Sequence, residues 1–147
     1  MSMVSGRFVD WVLVRVENAS GGKLTRGVNL FDERDAELST KVQRALTQGL
    51  KLAAAVSVPR MERVNRERAD DTLQRVSVDV GVVRSALSKE DSLGLAEGLY
   101  AAFSGAEWKP AGGVGIGCCD VAADSLTTEV TNRMTSHSFE VSTWINI

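Results

Sequence analysis

Histidine is nearly absent from this sequence, and the few other reactive residues are badly spaced for chemistry. The 147 residues include one histidine, His137, and two cysteines, the adjacent Cys118 and Cys119. One histidine removes most imidazole-based catalysis and metal binding. Neighbouring cysteines are no disulfide framework. Strand neighbours point to opposite faces, and their geometry disfavours a mutual disulfide. Zinc takes about four ligands; these three residues fall short. Aromatics make up only 5% of the chain, and there are two prolines. No run approaches the roughly 18 to 20 apolar residues that cross a bilayer. "WVLV", Trp11–Val14, is bracketed by Asp10 and by Arg15 and Glu17. It is neither a signal-peptide core nor an anchor, so synthesis in a cytoplasm without an export signal is expected. Charge of one sign is lacking as well: 17 basic residues face 19 acidic ones, a net charge of −2. That balance gives no global field for nucleic acid or an anionic membrane.

What is present is an ordinary globular composition, 44% hydrophobic and 24% charged. The length suits one domain. The most chemical stretch is "PAGGVGIGCCDV", Pro110–Val121. A dinucleotide fingerprint needs glycines at positions one, three and six. Counting from Gly113 or Gly115, the sixth position is Cys118 or Asp120. A phosphate loop needs Lys and then Ser or Thr after its last glycine, and Gly117 precedes two cysteines. The stretch reads as a bendable loop entering a strand of small residues. A cysteine–histidine nucleophile would require His137 on a neighbouring strand. A free cysteine is more often a small buried hydrophobe.

Along the chain, "RFVDWVLVRVE", Arg7–Glu17, is rich in Val, Leu and aromatics and reads as a strand, with a short helix as the other choice. "NASGG" is a turn, and "KLTRGVNLF" returns as a second hairpin arm. That arm packs on its own domain or reaches a neighbouring subunit. Residues 1–31 are thus an N-terminal arm or hairpin, and 32–147 form the core of a single domain. Leu38, Val42, Ala45, Leu46, Gly49, Leu50 and Ala53 recur at helical spacing. They predict a helix from Asp35 to Ala55, its start crowded with acids that suit the helix dipole. "VSVPRMERVNRER", Val56–Arg68, reads as an edge strand because Pro59 cannot donate to a ladder. Val76, Val78, Val80 and Val82 alternate with polar residues, as in a half-buried strand. Ser88 as N-cap, Asp91 behind it and Gly105 as stop frame a second helix. A strand over Val114–Val121, a link "AADSLTT" and a terminal strand complete the chain. In the last strand Phe139, Val141, Thr143 and Ile145 alternate with Ser138, Glu140, Ser142 and Trp144.

The expected fold is α+β: two helices on one face of a small, largely antiparallel four-stranded sheet, in the order α-β-β-α-β-β, after an N-terminal hairpin or arm. Four arginines, Arg60, Arg63, Arg66 and Arg68, punctuate the edge strand. Glu62 and Glu67 are interleaved and no aromatic is, so a solvated edge or a protein interface outweighs nucleic acid. Trp11, Trp108 and Trp144 lie outside the two expected helices. Tryptophan either caps a core or anchors an interface. The candidate interface residues are therefore Trp11, Arg60, Arg63, Arg66, Arg68 and Trp144.

A long helix leads to strands ending "VSVDVGVV". The helix "EDSLGLAEGLYAAF", a glycine-rich strand and a final strand "SHSFEVSTWINI" follow. This order resembles the tail terminator (tail completion) proteins of long-tailed bacteriophages over roughly residues 35–147. The resemblance implies a virion structural protein and no enzyme: a ring, typically a hexamer, without cofactors. It would cap the tail tube at the head-proximal end of the tail and join it to the head-side connector or neck protein. Its partners would be itself, the tube protein and the connector, with passive contact to DNA passing through. The family has no catalytic motif, so no catalytic residue carries over. Two alternatives remain at this level: another neck, adaptor or baseplate protein, and a small-ligand-binding α+β regulatory domain.

Overall fold

A computed structural model describes residues 4–63, 73–109 and 119–146. The chain opens with a helix, α1 (Val4–Ala19). Phe8, Val9, Val12, Leu13 and Val16 follow one another at helical spacing and are all buried, a continuous apolar stripe. The helix ends at Ser20, whose hydroxyl donates to the Glu17 carbonyl at 2.8 Å and accepts from the Leu24 amide at 3.1 Å. A short strand β1 (Leu30–Asp32) leads to α2 (Leu38–Thr47). Gly49 and Lys51 adopt left-handed φ angles of 57° and 55° and turn the chain out of the helix. Strands β2 (Leu52–Val56), β3 (Arg60–Arg63) and β4 (Leu73–Ser85) follow.

Helix α3 (Ser92–Phe103) starts at Asp91, whose carboxylate accepts from the Gly94 amide at 2.9 Å. A Cβ on Gly94 would stand 2.4 Å from that carboxylate, so the cap needs the glycine. Gly105, at φ 73°, follows the helix as the stop marked in the sequence. Strands β5 (Glu107–Trp108), β6 (Cys119–Val130) and β7 (Met134–Asn146) end the chain.

The seven strands form one curled, mixed sheet, a half-barrel. Its order is β1-β2-β4-β7-β6-β5, with β3 beside β4. Strands β1 and β2 run parallel; every other pairing is antiparallel. Strands β2 and β3 share one edge of β4. Val56 faces Val80, but Arg60 faces Ser77, so three residues oppose two across the break. Pro59 sits in that bulge, where no ladder donor is required. On the inner face, Val76, Val78, Val80 and Val82 meet Phe139, Val141 and Ile145 beneath α1 and α3. On the outer face a smaller cluster of Phe31, Ala45, Leu46 and Ala53 seats α2.

This architecture corrects the fold expected from sequence. Among the described residues there are three helices and seven strands, not two and four, and the helices lie on both faces of the sheet. The Arg7–Glu17 segment is neither strand nor arm: its side chains complete the main core, with Phe8 stacked against Trp11 at 5.9 Å and tilted against Trp108 at 5.1 Å. The expected Asp35–Ala55 helix is confined to Leu38–Thr47, and Leu52–Val56 is a strand buried from both sides. The acidic residues before α2 serve side-chain contacts rather than the dipole. Asp35 holds Arg26 at 2.9 Å, and Asp32 holds Arg34, which also reaches Asp10 on α1 at 3.1 Å. Asp91, not Ser88, caps α3; the Ser88 hydroxyl donates to the Leu50 carbonyl at 2.6 Å. The "AADSLTT" link is part of β6, kinked at Ser125 (φ 61°) where the β6–β7 register shifts by one residue. The arginine strand is described only over Arg60–Arg63. Its remainder and residues 114–118 of the expected glycine-rich strand lie outside the described residues.

Candidate functional site

Three features concentrate the polar side chains: an ion-paired outer sheet face, a basic groove and a buried histidine.

The outer face is built by register. Strand alternation sends Arg75, Ser77 and Asp79 of β4 outward, directly opposite Trp144, Ser142 and Glu140 of β7. Arg60 and Glu62 of β3 stand opposite Ser77 and Arg75. Arg60 reaches Asp79 at 2.8 Å and Glu140 at 3.1 Å. Arg75 bonds Glu140 and lies 3.9 Å from Glu62. The hydrogen bond to Asp79 is the main cause that raises the Arg60 pKa. Each exposed pair contributes little stability alone, about 0 to 1 kcal/mol; together they link β3, β4 and β7 across the outer face. Ser77 and Ser142 lie buried beneath it. Trp144 is 49% exposed at its margin, lining a shallow hollow with Arg63, Arg75 and Asp124.

The structure thus brings three of the sequence-derived interface residues, Arg60, Arg63 and Trp144, to one end of the sheet. Trp11 lies elsewhere, in the helix layer of the inner face: edge-on to Phe103 at 5.7 Å, with the Arg15 guanidinium 5.5 Å from its ring. Trp108 is buried and caps the core. Arg66 and Arg68 lie outside the described residues, as do the Gly112–Gly117 loop and Cys118.

The groove was not foreseen. It lies between the loop Gly22–Asn29 and α2, with a volume of about 610 Å³. Phe31, Ala45 and Leu52 line it among apolar residues, and Lys23, Lys41 and Arg44 bring positive charge; among the described residues no carboxylate lines it. Gly22, Gly27 and Gly49 turn its walls through left-handed φ angles. Glycines at these offsets were the one signal in the sequence, and they read equally as plain turns.

His137 is 3% exposed on the inner face, beside Thr128 of β6 and Val82 of β4. Its Nε2 lies 2.8 Å from the Ser92 hydroxyl and its Nδ1 2.8 Å from the Thr128 hydroxyl. Burial, and then the charge of Arg84, lowers its pKa and favours the neutral ring. A neutral imidazole has one donor and one acceptor, and two hydroxyls satisfy both. The Ser92–His137 spacing would suit a nucleophile and its base. Yet Ser92 is buried too, and Thr128 stands where a triad places a carboxylate. This is a hydrogen-bonded cluster at the start of α3, with Ser92 and His137 buried and Thr128 exposed at its rim. A Cys119–His137 pair is excluded. Val121 stands opposite Thr143, six residues along β7 from His137, about 20 Å at roughly 3.3 Å per residue; Cys119 lies farther out.

Among the described residues no group of three or more His, Cys, Asp or Glu side chains is placed to hold a metal ion. Nor is any helix long and apolar enough to cross a membrane. The chain matches no family model, and no curated protein matches it significantly.

Proposed function

We propose that this protein is a virion structural subunit, a tail terminator that forms a ring on the head-proximal end of a phage tail tube. The observation that carries this reading is the part of the outer sheet face around Trp144, away from α2, that no described residue covers. A tryptophan half-exposed beside an ordered ion-pair network, on a sheet already packed on its other side, is the chemistry of a protein contact. In this reading the Trp144 face docks onto the tube, and the protein works by geometry without a cofactor. Homo-oligomeric assembly, a tube partner and a place in the virion tail all belong to the same proposal. The experiment is co-sedimentation with purified tail tubes, paired with light scattering. Wild type binds tube ends as a ring. Trp144→Ser loses at least about tenfold in tube affinity, since a buried interface tryptophan carries 2 kcal/mol or more, while its melting temperature holds within about 2 °C. A strictly monomeric wild type that never binds tubes would overturn the proposal.

A further inference from the structure

The sheet ends in two unlike lateral edges, and their chemistry is complementary. At one end the groove presents Lys23, Lys41 and Arg44, with no carboxylate in its lining among the described residues. Lys23 pairs with Glu90, and Lys41 lies in the field of Asp35. The Arg44 side chain has no partner among the described residues. Val28, 67% exposed, and Leu50 add apolar surface at the groove. At the other end, past the short stretch that β5 covers, β6 forms the edge and carries carboxylates on the outer face: Asp124 opposite Glu140 and Glu129 opposite Ser136. Neither Asp124 nor Glu129 has an ion-pair partner among the described residues. Beside Glu129, at the hairpin tip, Val130 is 71% exposed.

Both patches lie on one cross-strand row. Leu52 of the groove faces Arg84, Arg84 faces Thr135, and Thr135 faces Val130. Three strand spacings separate the ends of this row, about 14 Å at roughly 4.8 Å each. The tip therefore cannot enter its own groove, whereas a second copy displaced along the row can supply it. We infer that the Glu129–Val130 tip of one copy seats in the groove of the next. Val130 then meets Val28 and Leu50, and Glu129 meets Arg44. The contact joins two different patches, so it is heterologous and generates a closed ring or an open helix. The edge backbone of β1 is already satisfied. Leu30 donates to Thr25 and accepts from Gly27, and Asp32 donates to the Asp35 carboxylate and accepts from the Asp35 amide. The contact is accordingly made by side chains and not by a continued ladder. The inference rests on the ring reading above and supplies its subunit contact.

A charge swap tests it, with the full chain in sedimentation or light scattering over a concentration series. Arg44→Glu and Glu129→Lys are both at exposed positions. Each alone raises the half-assembly concentration about tenfold or more, as expected for a close interfacial pair. The two in one chain restore assembly to within about threefold of wild type. Added salt weakens wild-type assembly, because partly exposed pairs are screened. Rings indifferent to both single changes, or a double variant as weak as the two singles combined, overturn this contact and leave the ring reading standing. Swap-dependent rings that do not bind tubes leave the contact standing and overturn the tail assignment. A wild type that stays monomeric, with inorganic phosphate or a dicarboxylate raising its melting temperature, assigns the groove to a small anion and overturns the contact.

Discussion

Truncating Phe8 distinguishes a core helix from an interface arm. Phe8 is fully buried on α1, with Trp108 5.1 Å and Trp11 5.9 Å from its ring centre. Phe8→Ala removes a large side chain from a packed site and costs about 3–5 kcal/mol through lost transfer energy and the cavity left behind. Unfolding entropy of about 2.1 cal/mol/K per residue over 147 residues gives about 0.31 kcal/mol/K. The melting temperature should therefore fall by about 10–16 °C. Val14, 57% exposed on the same helix, is the control. Val14→Ala exchanges a β-branched residue for the best helix former and should leave the melting temperature unchanged or slightly raised. Circular dichroism melts at two protein concentrations tenfold apart provide the measurement. A drop below about 3 °C for Phe8→Ala, or one that appears only at the higher concentration, would refute packing of α1 within its own chain.

Three further outcomes follow from single contacts. The Arg26 guanidinium, bonded to Asp35, holds that carboxyl at about 2, below the unfolded value of about 3.9. Its stabilisation is complete above about pH 4 and is lost as pH falls through about 2. Melting temperature against pH should show this acid limb, and Arg26→Gln should flatten it; an unchanged slope counts against the pair. The His137 pKa is lowered as well: burial favours its neutral form, so below about pH 6.5 the unfolded chain binds more protons and stability falls as pH falls. His137→Gln should abolish that slope whatever it does to the plateau, which a pH series of chemical melts will show. Asp91→Ala removes the α3 cap at a cost of about 1 kcal/mol, about 2–4 °C in melting temperature; no change would mean that the Gly94 amide finds another acceptor.

The elements legible in the sequence are those whose pattern and environment agree. Strands β4 and β7 alternate because one face of each lies on the core, and α3 carries its own stop in Gly105, although its start falls at Asp91, three residues past the expected Ser88. Helix α1 was misread because Val, Phe and Trp favour strands locally. The spacing Phe8–Val12–Val16, a helix repeat, was the better guide. The run Leu46–Ala53 misled in the opposite sense. Leu and Ala are strong helix formers, but the turn through Gly49 and Lys51 and burial between α2 and the inner core make Leu52–Val56 a strand. The two-sided burial of Ala53 and Ala54 is a tertiary fact, so the place of α2 on the outer face was illegible. For the same reason Arg60 and Trp144 were visible as residue types, but their shared face follows from strand register across β3, β4 and β7. The groove needs two segments that meet only after the loop folds back.

The two sheet edges also bear on how assembly would stop. A sheet with a pairable strand at each end invites unlimited ladder growth. Here β1 offers no free edge amide or carbonyl at Leu30 or Asp32, because turns and the Asp35 side chain consume them. Strand β6 is broken by the bulge at Ser125 and carries Asp124 and Glu129 along its outer side. Two β6 edges brought together would pack carboxylates near carboxylates, which disfavours a two-fold pairing. What the proposed contact would leave between copies is attraction between unlike ends through side chains, positive groove to acidic tip. In the proposed ring such contacts would be directional and would add one subunit at a time, with the angle between neighbours set by the curl of the sheet. A protein that must end a polymer, and not become one, needs that combination of a blocked ladder and a directional side-chain contact.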